Sequence, residues 1–155
     1  MMKTILVVVT LFLMPGVNGA EQFMSDFWVD KFNDNLARAE RGDAEAQYTV
    51  ANMYERGKGA EADARQALSW YRKAADQGLD KAEYKIGYFH YKGLGVKRNL
   101  QEAIVWLRKA ADQGYAPAQF YLGLSHAEGA RSTADYDTAL KWLEPARNNG
   151  YASAY

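Results

Sequence analysis

Two histidines are the residues of this sequence best suited to bind a metal or to transfer a proton. His90 and His126 are the only histidines, and Tyr54 holds the equivalent place 36 residues before His90. A zinc site needs further ligands beside them, and neighbouring helices about 8–10 Å apart would hold two facing imidazoles poorly. We therefore interpret the position as a half-buried aromatic slot, and we predict no metal and no cofactor.

The serines and the glycine-rich turns are equally unlike a catalytic site. Ser69 has Arg72 three positions later, where Ser-x-x-Lys chemistry needs a lysine. Gly93-Leu94-Gly95 lacks the Lys-Ser/Thr of a phosphate-binding loop. The same turn occurs 36 residues earlier at Gly57-Lys58-Gly59, which is typical of a connection between helices. The sequence therefore predicts a protein that is not an enzyme.

The composition excludes several classes of protein. The chain has 155 residues, in which 19 Lys and Arg balance 19 Asp and Glu, and it has no cysteine. A balanced charge argues against a general nucleic-acid binder, whose surface is strongly basic. Without cysteine there are no disulfides, thiol nucleophiles or thiolate zinc sites. The length supports one domain.

The first twenty residues have the three parts of a secretory signal peptide. Lys3 supplies the positive start, residues 5–14 are apolar except Thr10, and small residues allow cleavage after Gly19 or Ala20. The apolar run is too short to cross about 30 Å of hydrocarbon. We expect a periplasmic or secreted bacterial protein with no stable membrane span and no cysteine for a lipid anchor.

Several residue types recur with a period of 36 residues. The recurring tryptophans are Trp70, Trp106 and Trp142, and the recurring glycines are Gly42, Gly78, Gly114 and Gly150. Each period contains two stretches whose apolar residues repeat at three and four, as on one face of a helix. One helix pair cannot bury its apolar face alone, whereas stacked pairs can. The pattern therefore predicts an α-solenoid, with the three tryptophans buried between repeats.

The segment before the first period is predicted to be a capping helix over residues 21–42. It carries a rough apolar stripe of Phe23, Phe27, Phe32, Leu36 and Ala39. An amphipathic helix on a membrane surface is the alternative, but the segment lacks a strongly basic polar face. We expect the stripe to cover the exposed end of the first repeat.

The periodic segments resemble the Sel1-like repeat family, a relative of the tetratricopeptide repeats. The matching pieces are AEAQYTVANMYERGKG with ALSWYRKAADQG, KAEYKIGYFHYKGLGV with AIVWLRKAADQG, and APAQFYLGLSHAEG with ALKWLEPARNNG. The resemblance implies an all-α fold, a right-handed superhelical α/α solenoid of three helix-hairpin repeats with an N-terminal capping helix. We place the signal peptide at 1–20, the cap at 21–42, the repeats at 43–78, 79–114 and 115–150, and the truncated start of a further helix at 151–155.

The third repeat departs from the pattern of the other two. Arg131 replaces the loop glycine found at Gly59 and Gly95. Pro145 falls within the second helix, where a proline removes one backbone hydrogen bond, so we expect a kinked or shortened helix. The cysteine-rich branch of the family, with a disulfide in each repeat, does not fit a chain without cysteine.

Positions that vary between the repeats mark the predicted partner-binding face. The resemblance implies that the first helix of each repeat lines the inner curve of the solenoid. The predicted partner-binding residues are Asn52, Arg56, Lys85, Tyr88, Lys92, Tyr121, Leu124 and Glu128, with Glu45, Thr49, Lys81 and Pro117 on the same side. Their charges sum to a mildly positive value, which predicts a protein or peptide partner of mildly acidic character.

These observations predict an exported, non-enzymatic protein–protein interaction scaffold or adaptor of the bacterial cell envelope. An immunity or inhibitor protein for an exported toxin or enzyme would use the same scaffold, so the sequence does not separate the two. An envelope hydrolase is a further alternative. It would need titratable groups that converge in a pocket.

Overall fold

A computed structural model of the protein describes residues 19–129 and 133–151. These ranges contain seven helices and no β-strand: α1 (Gly19–Glu40), α2 (Ala44–Arg56), α3 (Ala64–Ala75), α4 (Asp80–Lys92), α5 (Leu100–Asp112), α6 (Ala116–Gly129) and α7 (Thr133–Asn148). The pairs α2/α3, α4/α5 and α6/α7 form three hairpins behind α1. The predicted all-α repeat solenoid with an N-terminal helix is confirmed. Apart from residues 19 and 20, the predicted signal peptide lies outside the described residues, as does the predicted further helix beyond Tyr151.

None of the helices in the described ranges is both long enough and apolar enough to cross a bilayer.

Side-chain caps fix where the second helices of the first two hairpins begin. The side chains of Asp63 and Asn99 each accept two backbone N–H bonds from the first turn, at 2.8 to 3.2 Å. Their own N–H groups donate to the carbonyls of Tyr54 and His90, at 3.0 and 2.9 Å. The start of each second helix is therefore tied to the end of its first helix.

The two helices of a hairpin approach closely at one small residue. A Cβ atom on Gly87 would lie 2.6 Å from Leu107 Cγ, and one on Gly123 would lie 2.6 Å from Leu143 Cγ. In the first hairpin, Ala51 stands at the equivalent position. A glycine is therefore required where a leucine of the second helix fills the contact.

The second half of α1 takes the place of a second helix from a preceding repeat. A Cβ atom on Gly59 would overlap the carbonyl oxygen of Trp28, and one on Gly95 would lie 2.8 Å from the carbonyl carbon of Ala64. Positions 28 and 64 are 36 residues apart, as are positions 59 and 95. The turn after α1, with Gly42 at φ 94°, also matches the turns after α3 and α5. The cap is thus half a repeat.

The face of α1 that would meet a preceding first helix is polar. In α5 this stripe includes Leu107, which contacts Gly87 of its own hairpin. The equivalent stripe of α3 is buried and consists of Ala67, Tyr71 and Ala74. The corresponding residues of α1 are Lys31, Asn35 and Arg38. A polar outer face is what a terminal repeat needs for solubility.

Only part of the apolar stripe predicted for the cap is buried. Phe32 and Ala39 are buried, and Leu36 packs against the same core. Phe23 and Phe27 are 68% and 40% exposed, because α1 extends two turns ahead of the point where the other second helices begin. The prediction was therefore wrong for these two residues.

The third hairpin differs from its predicted form. Helix α7 continues through Pro145 to Asn148, so the proline does not end it. It begins at Thr133, two residues before Asp135, which is equivalent to the caps Asp63 and Asn99. Arg131 lies outside the described residues.

The tryptophans are less uniformly buried than the periodicity predicts. Trp70 is buried, but Trp106 and Trp142 are half-buried. Trp70 and Trp106 have a lysine ammonium above the ring, Lys73 at 3.7 Å and Lys109 at 4.1 Å from the centroid. Each ring therefore seals apolar surface on one side and binds a cation on the other.

Candidate protein-binding surface

Helices α2, α4 and α6 are the first helices of the three hairpins, and they carry all eight predicted partner-binding residues. We call the surface they form the first-helix face. The second helices α3, α5 and α7 lie behind this face and position it. The first helices contact them through the small, buried residues Ala51, Gly87 and Gly123. The polar and aromatic residues on the other side of α2, α4 and α6 form two different regions.

A charged cluster occupies the junction between the first and second hairpins. Lys85 Nζ lies 2.9 Å from both carboxylate oxygens of Glu55. The hydroxyl of Tyr71 donates to Glu55 Oε2 at 2.5 Å and lies 3.0 Å from Asn52 Oδ1. Burial raises the pKa of Tyr71, and the hydrogen bond to Glu55 adds to the effect. Asn52 and Lys85 therefore bind their own chain as well as facing outward.

Ion pairs reduce the positive charge that the sequence predicts for this face. Lys81 Nζ lies 2.5 Å from Glu45 and 4.6 Å from the ring centroid of Tyr48. Lys85 is neutralised by Glu55, a carboxylate that the sequence-based charge count leaves out. The exposed cations that remain are Arg56 and Lys92. The charge argument for an acidic partner is correspondingly weaker than the sequence suggested.

Aromatic rings dominate the junction between the second and third hairpins. Tyr88 and Tyr121 meet edge to face, with centroids 5.0 Å apart and an interplanar angle of 78°. Tyr121 also lies 5.5 Å from Tyr91 and 6.0 Å from Tyr84. All four rings are half-buried, and each therefore keeps part of its surface in contact with solvent.

The two remaining predicted residues lie in the second half of α6. Leu124 is half-buried on α6. Glu128 forms an ion pair with Arg98, whose Nε donates to the carbonyl of Tyr91 at 3.0 Å. Burial raises the pKa of the Tyr91 hydroxyl, with Glu128 contributing. Glu128 therefore holds the turn before α5 against α6, which limits its role in binding a partner.

Further aromatic residues lie on this face and were not predicted. Tyr115 is 5.3 Å from Tyr84, and Tyr151 is 5.5 Å from Phe120. Burial raises the pKa of the Tyr84 hydroxyl, and the nearby Tyr151 adds to the effect. We define the aromatic band as the half-buried Tyr48, Tyr84, Tyr88, Tyr91, Tyr115, Tyr121 and Tyr151, together with the buried Phe120, which contacts Tyr121 and Tyr151. The repeat period held the signal, since Tyr48, Tyr84 and Phe120 are 36 residues apart.

The two histidines do not form a site with each other. His90 is 8% exposed, and neither ring nitrogen has a hydrogen-bond partner among the described residues. His126 is half-buried, with Nε2 3.2 Å from Arg108. Burial lowers the pKa of both imidazoles. Across residues 19–129 and 133–151, no three metal-ligating side chains of the His, Cys, Asp or Glu type come together.

Sequence comparison detects three repeats of one family in the chain. The Sel1 repeat model matches residues 44–79, 80–115 and 116–151. A search of curated proteins finds no match.

Solved structures with the same architecture include a Sel1 repeat protein from Oxalobacter formigenes, at 32% identity and a TM-score of 0.72, covering 92% of this chain and 62% of that one. The protective antigen c5321 of uropathogenic Escherichia coli, which displays an SLR fold, is 26% identical with a TM-score of 0.74, covering 84% of this chain and 30% of that one. Helicobacter pylori cysteine rich protein B is 28% identical with a TM-score of 0.53, covering 56% of this chain and 65% of that one. The chain thus spans at most 65% of the length of these three proteins.

Proposed function

Because the chain belongs to the Sel1 repeat family, whose members are protein–protein interaction scaffolds, we propose that it is an exported adaptor of the bacterial cell envelope. The partner is a protein or peptide that binds the first-helix face, and the chain carries out no catalysis of its own. The signal-peptide pattern of residues 1–20 supports export.

The observation that carries the proposal is the aromatic band. Tyrosine is enriched in protein interfaces because its ring is apolar and its hydroxyl forms hydrogen bonds. Neighbouring rings pack against one another, edge to face for Tyr88 and Tyr121 and tilted for Tyr84 and Tyr115, so little side-chain freedom is lost when a partner binds. A solenoid needs buried rings between its repeats for stability, but it does not need partly exposed tyrosines such as Tyr88 and Tyr121 on its first helices.

Site-specific photo-crosslinking tests the binding face. A photoreactive residue at Leu124 should crosslink a partner in cell extract, whereas one at Val105, which is 52% exposed on α5, should not. The double variant Tyr88→Ala/Lys92→Ala should abolish the Leu124 crosslink while the chain keeps its helicity and a cooperative thermal unfolding transition. Equal crosslinking from both positions, or a crosslink that survives the double variant, would contradict the proposed face.

Export is tested separately by fractionating bacteria that express the full chain. We expect a processed form beginning at Ala20 or Glu21 in the periplasm or medium, and a cytoplasmic product when residues 1–20 are deleted. An unprocessed chain retained in the cytoplasm would contradict the envelope assignment and leave the binding face unaffected.

A further inference from the structure

We propose that a cleft on the outer side of the first two hairpins binds a small phosphomonoester. The cleft has a volume of about 350 Å³ and lies between α3 and the turn after α4, at Gly95 and Val96. We call it the α3 cleft. It lies away from the side of α3 that packs on α2, where Tyr71 bonds to Asn52. The inference therefore goes beyond the proposed function and does not rest on it.

An excess of positive charge in the α3 cleft is the first argument. Arg65, Ser69 and Arg72 follow one another at steps of four and three, which places them on one side of α3, and Lys73 lies beside them. Of the described residues that line the cleft, Asp76 alone carries a carboxylate, so an excess of two positive charges remains. None of the three cations forms an ion pair within residues 19–129 and 133–151.

This excess selects a phosphate ester over a carboxylate. A phosphomonoester carries a charge of about −1.5 to −2 at pH 7, whereas a carboxylate carries a single charge. A guanidinium presents its N–H donors in one plane and can bind two phosphate oxygens at once. The exposed hydroxyl of Ser69 is a further donor. The backbone N–H groups of Gly95 and Val96 have no partner among the described residues, so they too are available to a ligand.

The α3 cleft also offers apolar surface. Leu68 is buried and Val96 is half-buried, and both line the cleft. Small-molecule sites have volumes of about 300–1,000 Å³ and combine an apolar lining with a few polar groups that fix the orientation of the ligand. A phosphate held by the two arginines would leave the organic part of the ligand against these side chains. The cleft therefore fits a phosphate ester better than inorganic phosphate.

The repeat scaffold does not require the pair of arginines. In α5 only one of them has an arginine equivalent, Arg108, which lies 3.2 Å from Nε2 of His126 and 5.9 Å from the ring centroid of Trp142. The residues equivalent to Arg65, Ser69 and Arg72 are Val29, Asn33 and Leu36 in α1, Gln101, Val105 and Arg108 in α5, and Asp137, Lys141 and Glu144 in α7. The charges of the α3 cleft are therefore particular to this junction.

The two walls of the α3 cleft belong to different hairpins and are held in contact. A Cβ atom on Gly95 would lie 2.8 Å from the carbonyl carbon of Ala64, so the turn packs directly on the start of α3. The site is therefore formed before a ligand arrives. A ligand that binds only the folded protein stabilises it, so we expect a phosphate ester to raise the temperature of thermal unfolding.

Isothermal titration calorimetry and amide ¹H–¹⁵N spectra of the purified full chain test the proposal. The probe is phenyl phosphate. It is compared with benzenesulfonate, which has the same ring and a single charge, and with inorganic phosphate, which has no ring. We expect phenyl phosphate to bind at least about tenfold more tightly than benzenesulfonate and more tightly than inorganic phosphate. The amide shifts should be concentrated at residues 65–76 and 95–96.

Substitutions on α3 identify the groups that bind the phosphate. Arg65→Gln copies Gln101 of α5, and Arg72→Gln removes the other guanidinium. Each should weaken the binding of phenyl phosphate about tenfold, because each removes charge-assisted hydrogen bonds. The matched control is Lys109→Gln, which removes the cation above Trp106 and should leave the affinity unchanged. Because Arg65 and Arg72 are exposed, both variants should unfold near the parent temperature without ligand and lose only the rise caused by phenyl phosphate.

Three results would overturn the inference. The first is equal binding of phenyl phosphate and benzenesulfonate, and the second is a set of amide shifts centred outside the α3 cleft. The third is an effect of Lys109→Gln as large as that of Arg65→Gln. Spectra that do not change with phenyl phosphate would also refute the site, and the proposed function of the first-helix face would stand.

Discussion

The two junctions between successive hairpins use the same positions in opposite ways. At the first junction, Glu55 of α2 binds Lys85 of α4, and both oxygens of the carboxylate are engaged. Thirty-six residues later the equivalent pair is Tyr91 and Tyr121, whose rings meet at 5.5 Å and 65°. One backbone arrangement therefore accepts an ion pair at one junction and an aromatic pair at the next.

The difference extends to the second helix behind each pair. Tyr71 of α3 is fully buried and donates its hydroxyl to Glu55, while its equivalent in α5 is Leu107, with no polar group. A partly buried ion pair must offset the desolvation of two charges, so it depends on such extra hydrogen bonds. An aromatic pair contributes about 0.5–1.5 kcal/mol beyond its buried area without that cost. The first junction is thus the more sensitive to losing a single atom.

The largest expected effect comes from giving the first junction the leucine of the second. Tyr71→Leu removes the donor to Glu55 and leaves a gap beside Ala51, so we expect the free energy of unfolding to fall by about 2–4 kcal/mol. Tyr71→Phe keeps the ring and should cost about 1–2 kcal/mol. Urea denaturation measures both. Equal losses in the two variants would mean that the hydroxyl, and not the volume, accounts for the effect.

A second substitution gives the second hairpin the alanine that the first hairpin has at the equivalent position, Ala51. Gly87→Ala places a Cβ 2.6 Å from Leu107 Cγ, so we expect a loss of about 1–3 kcal/mol by urea denaturation. In a Leu107→Ala background the added methyl group has room, and the same change should become neutral or favourable. A loss of the same size in both backgrounds would show that Gly87 is not required by this contact.

A buried carboxyl also distinguishes the two junctions. Gln47 donates to the carbonyl of Ala39 at 3.1 Å, and Gln119 donates to that of Ala111 at 3.4 Å. Glu83 holds the equivalent position beside Ala75 and has no proton to donate when ionised. Burial raises the pKa of Glu83, against the opposing effects of Gln113 and Lys109.

Glu83→Gln should therefore stabilise the protein. Because the pKa of Glu83 is higher in the folded state, its neutral form contributes stability at low pH that is lost as the pH rises through the folded value. We expect a gain of about 0.5–1.5 kcal/mol at pH 8 and a smaller gain at pH 5, measured by urea denaturation. The matched control, Gln47→Glu, should destabilise most at pH 8. A gain from Glu83→Gln that is independent of pH would refute this account.

The smallest effect concerns the histidines, one at each junction. Burial lowers the pKa of His90 in the folded state, Glu102 opposes the shift and Arg72 adds to it. The unfolded state therefore binds the proton more readily, and stability falls as the pH drops below about 6.5. In a Glu83→Gln background, we expect thermal unfolding to occur at a lower temperature at pH 5 than at pH 7. His90→Tyr, which copies Tyr54, should reduce that difference more than His126→Tyr, and the reverse order would contradict the role of His90.

The repeat period predicted the fold because each hairpin solves the same packing problem. Glycines that end helices, small residues between helices and polar caps recur at fixed positions, and local chemistry sets each of them. The period also extends into the cap, since Trp28 and Ala64 are equivalent. That match is hidden in the sequence because Lys31, Asn35 and Arg38 break the apolar pattern of a second helix.

The binding surface was only partly predictable. Tyr88 and Tyr121 were found because variable positions on a first helix share one side. The pairing of Lys85 with Glu55, 30 residues apart, depends on how one hairpin is rotated on the next, and composition does not encode that rotation. Tyr84 was missed because its aromatic equivalents made it resemble a core position.

The polar stripe on the cap closes one end of the repeat array. Lys31, Asn35 and Arg38 give an incoming first helix no apolar surface to bury, so this stripe would not stabilise a hairpin added in front of α1. New 36-residue modules would instead fit after Gly78 or Gly114, where the chain already passes from one unit to the next. The protein could therefore be lengthened by inserting whole repeats in the middle of the array while α1 continues to cover its first end.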